Sequence, residues 1–132
     1  MDSHKLTHKD KKILVVEDEK PMRRVLADSL IAEGFSVLEA ENGIIGLDVA
    51  MREHPDLILL DLLMPQMDGI EMLKKLREDA WGKNAIVIVL TNLGDTEKIV
   101  EATKCGAYGY LLKTNWRMDE VIRKIEGCLC QK

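Results

Sequence analysis

The stretch "DLILLDLLMPQMDG", residues 56–69, runs through four consecutive apolar side chains and then meets an acid, Asp61. An unalternating apolar run of this length is typical of a parallel strand that is buried on both faces of its sheet. A carboxylate directly after such a strand lies where the chain leaves the interior. The fold prediction therefore depends on whether other apolar runs in the chain end in the same way.

Four other segments carry similar runs, and stretches with helical spacing separate them. The runs are "KKILVVEDE" (11–19), "FSVLEA" (35–40), "AIVIVLT" (85–91) and "YGYLLK" (108–113). Pro21 is placed for the first turn of a helix and Gly34 for its end. Strand and helix alternate five times, without an internal repeat or a linker. This alternation predicts a single doubly wound α/β domain with a five-stranded parallel sheet.

The helices are predicted from apolar residues that recur every three or four positions. Each set lies on one side of its helix, so we expect it to face the core. The sets are Met22, Val25, Leu26, Leu30 and Ile31; Ile44, Leu47 and Met51; Ile70, Leu73 and Leu76; Ile99, Val100 and Thr103; and Val121, Ile122, Ile125 and Leu129.

Length, composition and charge limit the class of protein. At 132 residues with 46% hydrophobic content, the chain can bury one core but not two. Residues 1–11 are polar and charged and are expected to form a flexible tail, with the globular domain over 12–132. The 19 basic and 23 acidic residues give a net charge of −4, which disfavours direct binding to nucleic acid.

The apolar runs also bear on location. None approaches the roughly 18 residues that span a bilayer, and the N-terminus lacks the apolar segment of a secretory signal. A cytoplasmic location without membrane contact is therefore expected.

Cys105, Cys128 and Cys130 have no metal-binding or redox spacing, and we interpret them as free thiols.

Polar residues follow four of the five predicted strands. Glu17-Asp18 follow the first, Asp61 the third, Thr91 the fourth and Lys113 the fifth, whereas the second ends near Glu39 and is predicted to be an edge strand. The carboxyl ends of parallel strands meet at one edge of a sheet, where ligands bind. For one acid taken alone, a solvated position or a helix cap explains it as well as a functional role does. Three acids together repel each other, and carboxylates without His or Cys are ligands that Mg²⁺ prefers. The sequence therefore predicts a phosphate-handling Mg²⁺ site.

The motifs "ILVVEDE", "DLILLDLLMPQMDG", "IVLT" and "GYLLK", in this order, resemble the receiver domain of two-component response regulators. The resemblance covers about residues 12–129. It implies the flavodoxin-like strand order 2-1-3-4-5 with five helices, and an Asp68-Gly69 turn into the third helix. It also implies the following roles: Asp61 as phosphoryl acceptor and metal ligand, Asp18 as direct Mg²⁺ ligand, Glu17 as ligand through water, Leu63 as ligand through its backbone carbonyl, Thr91 and Lys113 as phosphoryl-binding groups, and Thr91 with Tyr110 as the switch pair.

A receiver domain would take its phosphoryl group from a histidine kinase or phosphotransfer protein and catalyse only its own phosphorylation and dephosphorylation. The resemblance places the switch on the fourth helix, fifth strand and fifth helix, a face available to a downstream target or to a homodimer. Two alternatives remain: an interaction scaffold that works unphosphorylated, and a Mg²⁺-dependent phosphatase. The phosphatase is disfavoured because Leu63 stands where such enzymes commonly place a second Asp.

The sequence departs from the usual receiver pattern at three positions. Glu17 stands where many members have Asp, Asn92 where Ala or Gly is favoured, and Thr114 where a cis proline is usual. A cis bond before a residue other than proline costs about 3 to 4 kcal/mol, so a trans bond and an altered loop are predicted. The resemblance also implies that Leu63 and Leu93 flank the path of the hydrolytic water, which predicts a long-lived phosphorylated state. The sequence leaves the output open, either a stand-alone regulator or one domain of a larger protein.

Overall fold

A computed structural model describes residues 10–64, 67–92, 94–113 and 117–129. Five β-strands, five α-helices and one turn of 3₁₀-helix alternate along these residues. The strands are β1 (Lys12–Val16), β2 (Ser36–Ala40), β3 (Leu57–Asp61), β4 (Val87–Thr91) and β5 (Gly109–Leu112). The helices are α1 (Lys20–Ala32), α2 (Gly43–Glu53), α3 (Gly69–Arg77), α4 (Thr96–Lys104) and α5 (Met118–Leu129), with the 3₁₀ turn at Gly82–Asn84.

The five strands form one parallel sheet in the order β2-β1-β3-β4-β5. Every residue of β3 and β4 is buried, as are the last four of β1. These are the three interior strands. They were predicted from their continuous apolar runs, which are typical of strands buried on both faces. The predicted strand order and the edge position of β2 are confirmed.

Two apolar layers lie on the two faces of the sheet, because alternate residues of each strand point to opposite sides. Val16 and Leu60 belong to the layer that α2, α3 and α4 cover, and Val15 and Leu59 belong to the layer that α1 and α5 cover. The domain is therefore doubly wound, as predicted.

The predicted core faces are confirmed for α3 and mostly for α5, but only in part for the other helices. In α1, Leu26 and Leu30 are buried, whereas Val25 and Ile31 are 53% and 52% exposed. In α2, Ile44 is exposed although Leu47 and Met51 are partly buried. In α4, Ile99 is partly buried, whereas Val100 and Thr103 are exposed.

Small residues explain these differences, because they let a helix approach the sheet closely. Gly46 is buried in α2, and a Cβ atom there would lie 2.9 Å from a methyl group of Val16 and 3.1 Å from the sulfur of Met72. Ala27 in α1 and Ala102 in α4 are likewise buried. A pattern read from large apolar residues does not detect these contacts.

The Asp68-Gly69 turn has the predicted structural role and places α3 beside the end of β3. Asp68 Oδ1 accepts a hydrogen bond from the Glu71 amide at 2.9 Å, which caps the helix. A Cβ atom on Gly69 would lie 2.4 Å from the carbonyl oxygen of Asp61, so glycine is needed for this approach. The Gly69 amide also donates to the carbonyl oxygen of Leu62 at 3.1 Å.

Some predictions concern positions outside the described residues: those on Leu93, Thr114 and its peptide bond, Cys130, and tail residues 1–9. Cys105 and Cys128 are free and partly buried, as predicted. Within the described ranges, no helix is both long enough and apolar enough to cross a membrane.

Candidate functional site

The carboxyl-terminal edge of the sheet brings together the residues that follow its interior strands. Glu17 follows β1, Asp61 ends β3 and Thr91 ends β4, and these three residues are 0%, 1% and 1% exposed. Asp61 lies opposite Leu90, so Thr91 is one residue further along the neighbouring strand. Burying these polar groups has a cost in free energy unless each finds a partner.

Glu17, Asp18 and Asp61 form an acidic cluster. One carboxylate oxygen from each lies within 4.8 Å of the others. The Nζ atom of Lys113 is 3.2 Å from Oε1 of Glu17 and 3.2 Å from Oδ2 of Asp61. One ammonium group therefore faces two buried carboxylates, which leaves an excess of negative charge.

The surroundings of these groups change their pKa values. Burial, and then repulsion from Glu17, raise the pKa of Asp61 to about 7. Burial also raises the pKa of Glu17. Burial lowers the pKa of Lys113, but Asp61 and Glu17 outweigh this effect and its net pKa is raised. The two carboxylates are therefore short of positive charge, which a bound cation would supply.

Backbone amides two residues further along orient both buried carboxylates. Oδ1 of Asp61 accepts a hydrogen bond from the Leu63 amide at 3.1 Å, and Oε2 of Glu17 accepts one from the Glu19 amide at 3.0 Å. The Lys113 amide donates to the carbonyl oxygen of Thr91 at 2.7 Å, which connects β4 to the residue that carries the ammonium group. The loops after β1, β3 and β5 are thus tied to the site.

Among the residues that end or directly follow the strands at this edge, two buried oxygens have no hydrogen-bond partner in the described ranges. They are Oγ1 of Thr91 and Oε1 of Glu17; the latter lies near the Lys113 ammonium without hydrogen-bond geometry. Buried polar atoms are nearly always hydrogen-bonded in folded proteins. Both orphaned oxygens therefore fit a site that receives a ligand.

An open cleft of about 380 Å³ lies above the acidic cluster. Its walls are Asp18, Glu19, Met22, Leu63, Asn92 and Lys113. Leu63 is 42% exposed and contributes both its side chain and the amide that orients Asp61. Tyr110 does not line this cleft; it is 47% exposed on β5, which leaves it room to turn.

Sequence reasoning missed Glu19 and the second contact of Met22. Oε1 of Glu19 lies 3.6 Å from Nζ of Lys113, although its side chain is 62% exposed. Glu19 is also the N-cap of α1, but its side chain makes no capping hydrogen bond. The third acid of "EDE" was the available signal for Glu19. Met22 packs against the core, as predicted, and it also lines the cleft.

Comparison with known proteins shows the family to which this fold belongs. A family model for the response regulator receiver domain matches residues 13–126. The chain belongs to the response regulator receiver family. Receiver domains are signalling modules of two-component systems, and their family binds Mg²⁺ through acidic residues such as those clustered in this receiver domain.

Individual relatives agree with this family. The receiver domain is 37% identical over 112 residues to sporulation initiation phosphotransferase F of Bacillus subtilis, covering 85% of this chain and 88% of that protein. It is 39% identical over 110 residues to regulatory protein AtoC of Escherichia coli, covering 83% of this chain but spanning only 23% of AtoC. Chemotaxis protein CheY4 of Vibrio cholerae superimposes with a TM-score of 0.83 at 28% identity, over 89% of this chain and 97% of that chain.

Proposed function

We propose that Asp61 accepts a phosphoryl group from a histidine kinase or phosphotransfer protein in a Mg²⁺-dependent reaction, and that this changes the binding of downstream partners. The observation that carries the proposal is the position of Asp61, which is 1% exposed, belongs to the acidic cluster and lies 3.2 Å from the Lys113 ammonium. A nucleophile, a cation site and a counter-charge are thus next to each other, as phosphoryl transfer requires.

The acidic cluster suits Mg²⁺. Asp18 lines the open cleft, so it is suited to bind the ion directly. We assign Asp61 as a second direct ligand and Glu17 as a ligand through water. The backbone carbonyl of Leu63 would complete the protein's ligands. When bound, Mg²⁺ supplies positive charge to the carboxylates and to the phosphoryl oxygens.

The side chains of this domain divide the remaining work between them. An Asp61 oxygen forms a bond to phosphorus while the bond between phosphorus and the donor's imidazole nitrogen breaks, and the imidazole leaves with that electron pair and takes up a proton. Lys113 already contacts Asp61 and would neutralise a phosphoryl oxygen. The Thr91 hydroxyl, for which the described part of the chain offers no hydrogen-bond partner, would donate a hydrogen bond to another phosphoryl oxygen.

The acyl phosphate is the output of this chemistry rather than an intermediate in turnover of an external substrate. Leu63 occupies the position two residues after Asp61 and cannot act as a general acid or base. The domain therefore catalyses its own phosphorylation and dephosphorylation only. This is also why a phosphatase function is disfavoured.

Two surfaces support the proposed partners. Beside the cleft, an apolar hollow of about 380 Å³ is lined by Glu19, Pro21, Met22 and Val25, where a phosphodonor protein would rest. On the other side, Tyr108, Tyr110 and Val100 are roughly half exposed on or near α4 and β5. This second surface supports a downstream target or a homodimer on the α4-β5-α5 face. A cytoplasmic location stays a prediction.

The test is phosphorylation with a small-molecule phosphodonor and Mg²⁺, followed by intact mass. We expect one acid-labile phosphoryl group on the wild type, none on Asp61→Asn, and one on the control Asp48→Asn, whose side chain is 72% exposed in α2. The same modification on Asp61→Asn would refute the acceptor. An unmodified wild type would favour the scaffold alternative, with Asn92 at the cleft closing the phosphoryl entrance.

A further inference from the structure

Arg23 connects helix α1 to the end of β1, next to the acidic cluster. Its Nη1 atom donates a hydrogen bond to the carbonyl oxygen of Glu17 at 2.9 Å, and its Nε atom donates to Oε1 of Glu39 at 3.2 Å. The Arg23 side chain is only 12% exposed, although it lies on a surface helix. Arg23 therefore points inward and is held at two points.

The carbonyl that Arg23 binds belongs to the peptide unit between Glu17 and Asp18. On the other side of Glu17, the amide donates to the carbonyl oxygen of Ala40 at 3.1 Å, so β2 holds that end. Arg23 holds the carbonyl end. Rotation of the Glu17–Asp18 peptide unit would change the direction of the Asp18 carboxylate. The hydrogen bond from Arg23 opposes this rotation directly, whereas the bond to Ala40 fixes the preceding Val16–Glu17 unit.

Glu39 on the edge strand in turn fixes the guanidinium group of Arg23. Its carboxylate pairs with Nε of Arg23 and also with Nη1 of Arg24. A guanidinium group has several donors in one rigid plane, so holding Nε at Glu39 sets the direction of Nη1 toward Glu17. A lysine ammonium has no such plane and could not hold both partners in the same way.

We propose that Arg23 is a positioning residue for the divalent-cation site, and that Glu39 positions Arg23. The proposal rests on the proposed function in one respect, that the acidic cluster binds Mg²⁺. Arg23 touches no reacting atom and acts through the Glu17–Asp18 peptide unit. Groups that orient metal ligands from outside typically change metal affinity by about 10- to 100-fold when they are lost.

Charge and positioning predict opposite results for this residue. Removing a positive charge near an acidic cluster should by itself strengthen the binding of a cation. Loss of a positioning contact should weaken it. Arg24 is the matched control, because it neighbours Arg23, pairs with the same Glu39 and is 46% exposed, and because no hydrogen bond from Arg24 to Glu17 is found in the described residues.

The experiment is a calorimetric Mg²⁺ titration of the unphosphorylated chain of 132 residues. We expect about tenfold weaker binding for Arg23→Ala, a smaller loss for Arg23→Lys and Glu39→Gln, and equal or slightly tighter binding for Arg24→Ala. Asp18→Asn serves as the reference for loss of a direct ligand.

Each outcome has a distinct meaning. Wild-type binding by Arg23→Ala, or an equal loss in Arg24→Ala, would overturn the positioning role. A wild type that does not bind Mg²⁺ would instead refute the cation site of the proposed function. Thermal unfolding without metal checks that each variant is folded; if Arg23→Ala is not, Arg23→Lys and Glu39→Gln decide, and wild-type affinity in both would overturn the proposal.

Discussion

The ammonium group of Lys113 lies 3.2 Å from Oδ2 of Asp61, although 52 positions separate the two residues in the chain. The parallel sheet creates this contact, because β3 ends at Asp61 and β5 ends directly before Lys113 at the same edge. The contact offsets only part of the free-energy cost of burying the Asp61 carboxylate, because Glu17 competes for the same ammonium group. The unphosphorylated site is therefore electrostatically unsatisfied.

Stability without metal should fall as pH rises. The pKa of Asp61 is raised from 3.8 to about 7, so the folded chain holds this proton more tightly than the unfolded chain. The contribution of Asp61 to stability is fully present below its unfolded pKa of 3.8 and is lost as pH rises through about 7. The raised pKa of Glu17 acts in the same direction.

Asp61→Asn should therefore be more stable than the wild type at pH 8 without divalent cations, by an amount on the order of a few kcal/mol. The difference should shrink toward pH 4. Urea unfolding across this range measures it, with the exposed Asp48→Asn as control. A wild type whose stability rises from pH 5 to pH 8 would contradict a raised pKa of Asp61 in the folded chain.

Thr91→Val should leave the unphosphorylated domain as stable as the wild type or stabilise it by about 1 kcal/mol. The buried hydroxyl has no hydrogen-bond partner among the described residues, so an apolar group of the same shape removes a desolvation cost. The same change should slow phosphorylation, because the hydroxyl is lost to the phosphoryl group. Urea unfolding and the phosphorylation rate test the two parts. Destabilisation by more than about 1 kcal/mol would mean that the hydroxyl has a partner in the native state.

Glu19→Gln should speed phosphorylation by an anionic small-molecule donor, by about three- to tenfold. The Glu19 carboxylate lines the cleft and lies 3.6 Å from the ammonium group of Lys113. It therefore repels the anionic donor and also competes with the phosphoryl group for Lys113. Glu41→Gln is the control, an exposed acid that follows β2 near the same sheet edge. Equal acceleration by both variants would assign the effect to net charge alone.

The phosphorylated state should be long-lived, and Leu63→Asn should shorten its lifetime. Leu63 is an apolar wall of the cleft and cannot orient a hydrolytic water. Each tenfold change in lifetime needs only about 1.4 kcal/mol of barrier, so decay assays will detect a modest effect. Leu93, outside the described residues, is tested in parallel as Leu93→Glu and in the double variant. Unchanged decay, or a wild type as fast as the double variant, would contradict this prediction.

The sequence predicted the sheet well because the interior strands are buried on both faces and so carry continuous apolar runs. It predicted the acidic cluster because Glu17 and Asp61 directly follow such runs. Helix faces were harder to predict. Gly46 and Ala102 make the close contacts, and small residues give little signal in a hydrophobic pattern.

The roles of Arg23 and Glu19 could not be read from the sequence for a different reason. Both lie at the start of α1, where charged residues are ordinarily solvated, and only the direction of each side chain reveals its contact. Arg23 turns inward to the Glu17 carbonyl, whereas its neighbour Arg24 pairs with Asp28 at the surface. One residue along a helix turns a side chain by about 100°, so neighbouring arginines have different surroundings.

The most direct test of the central claim is chemical mapping of the phosphorylated residue in the wild-type protein. Borohydride reduces an aspartyl phosphate to homoserine, which mass spectrometry locates in a peptide. After treatment with a phosphodonor and Mg²⁺, we predict homoserine at position 61 and at no other acid, and none when Mg²⁺ is withheld. Homoserine at another position, or an unaltered Asp61 in protein that carries the phosphoryl group, would contradict the account.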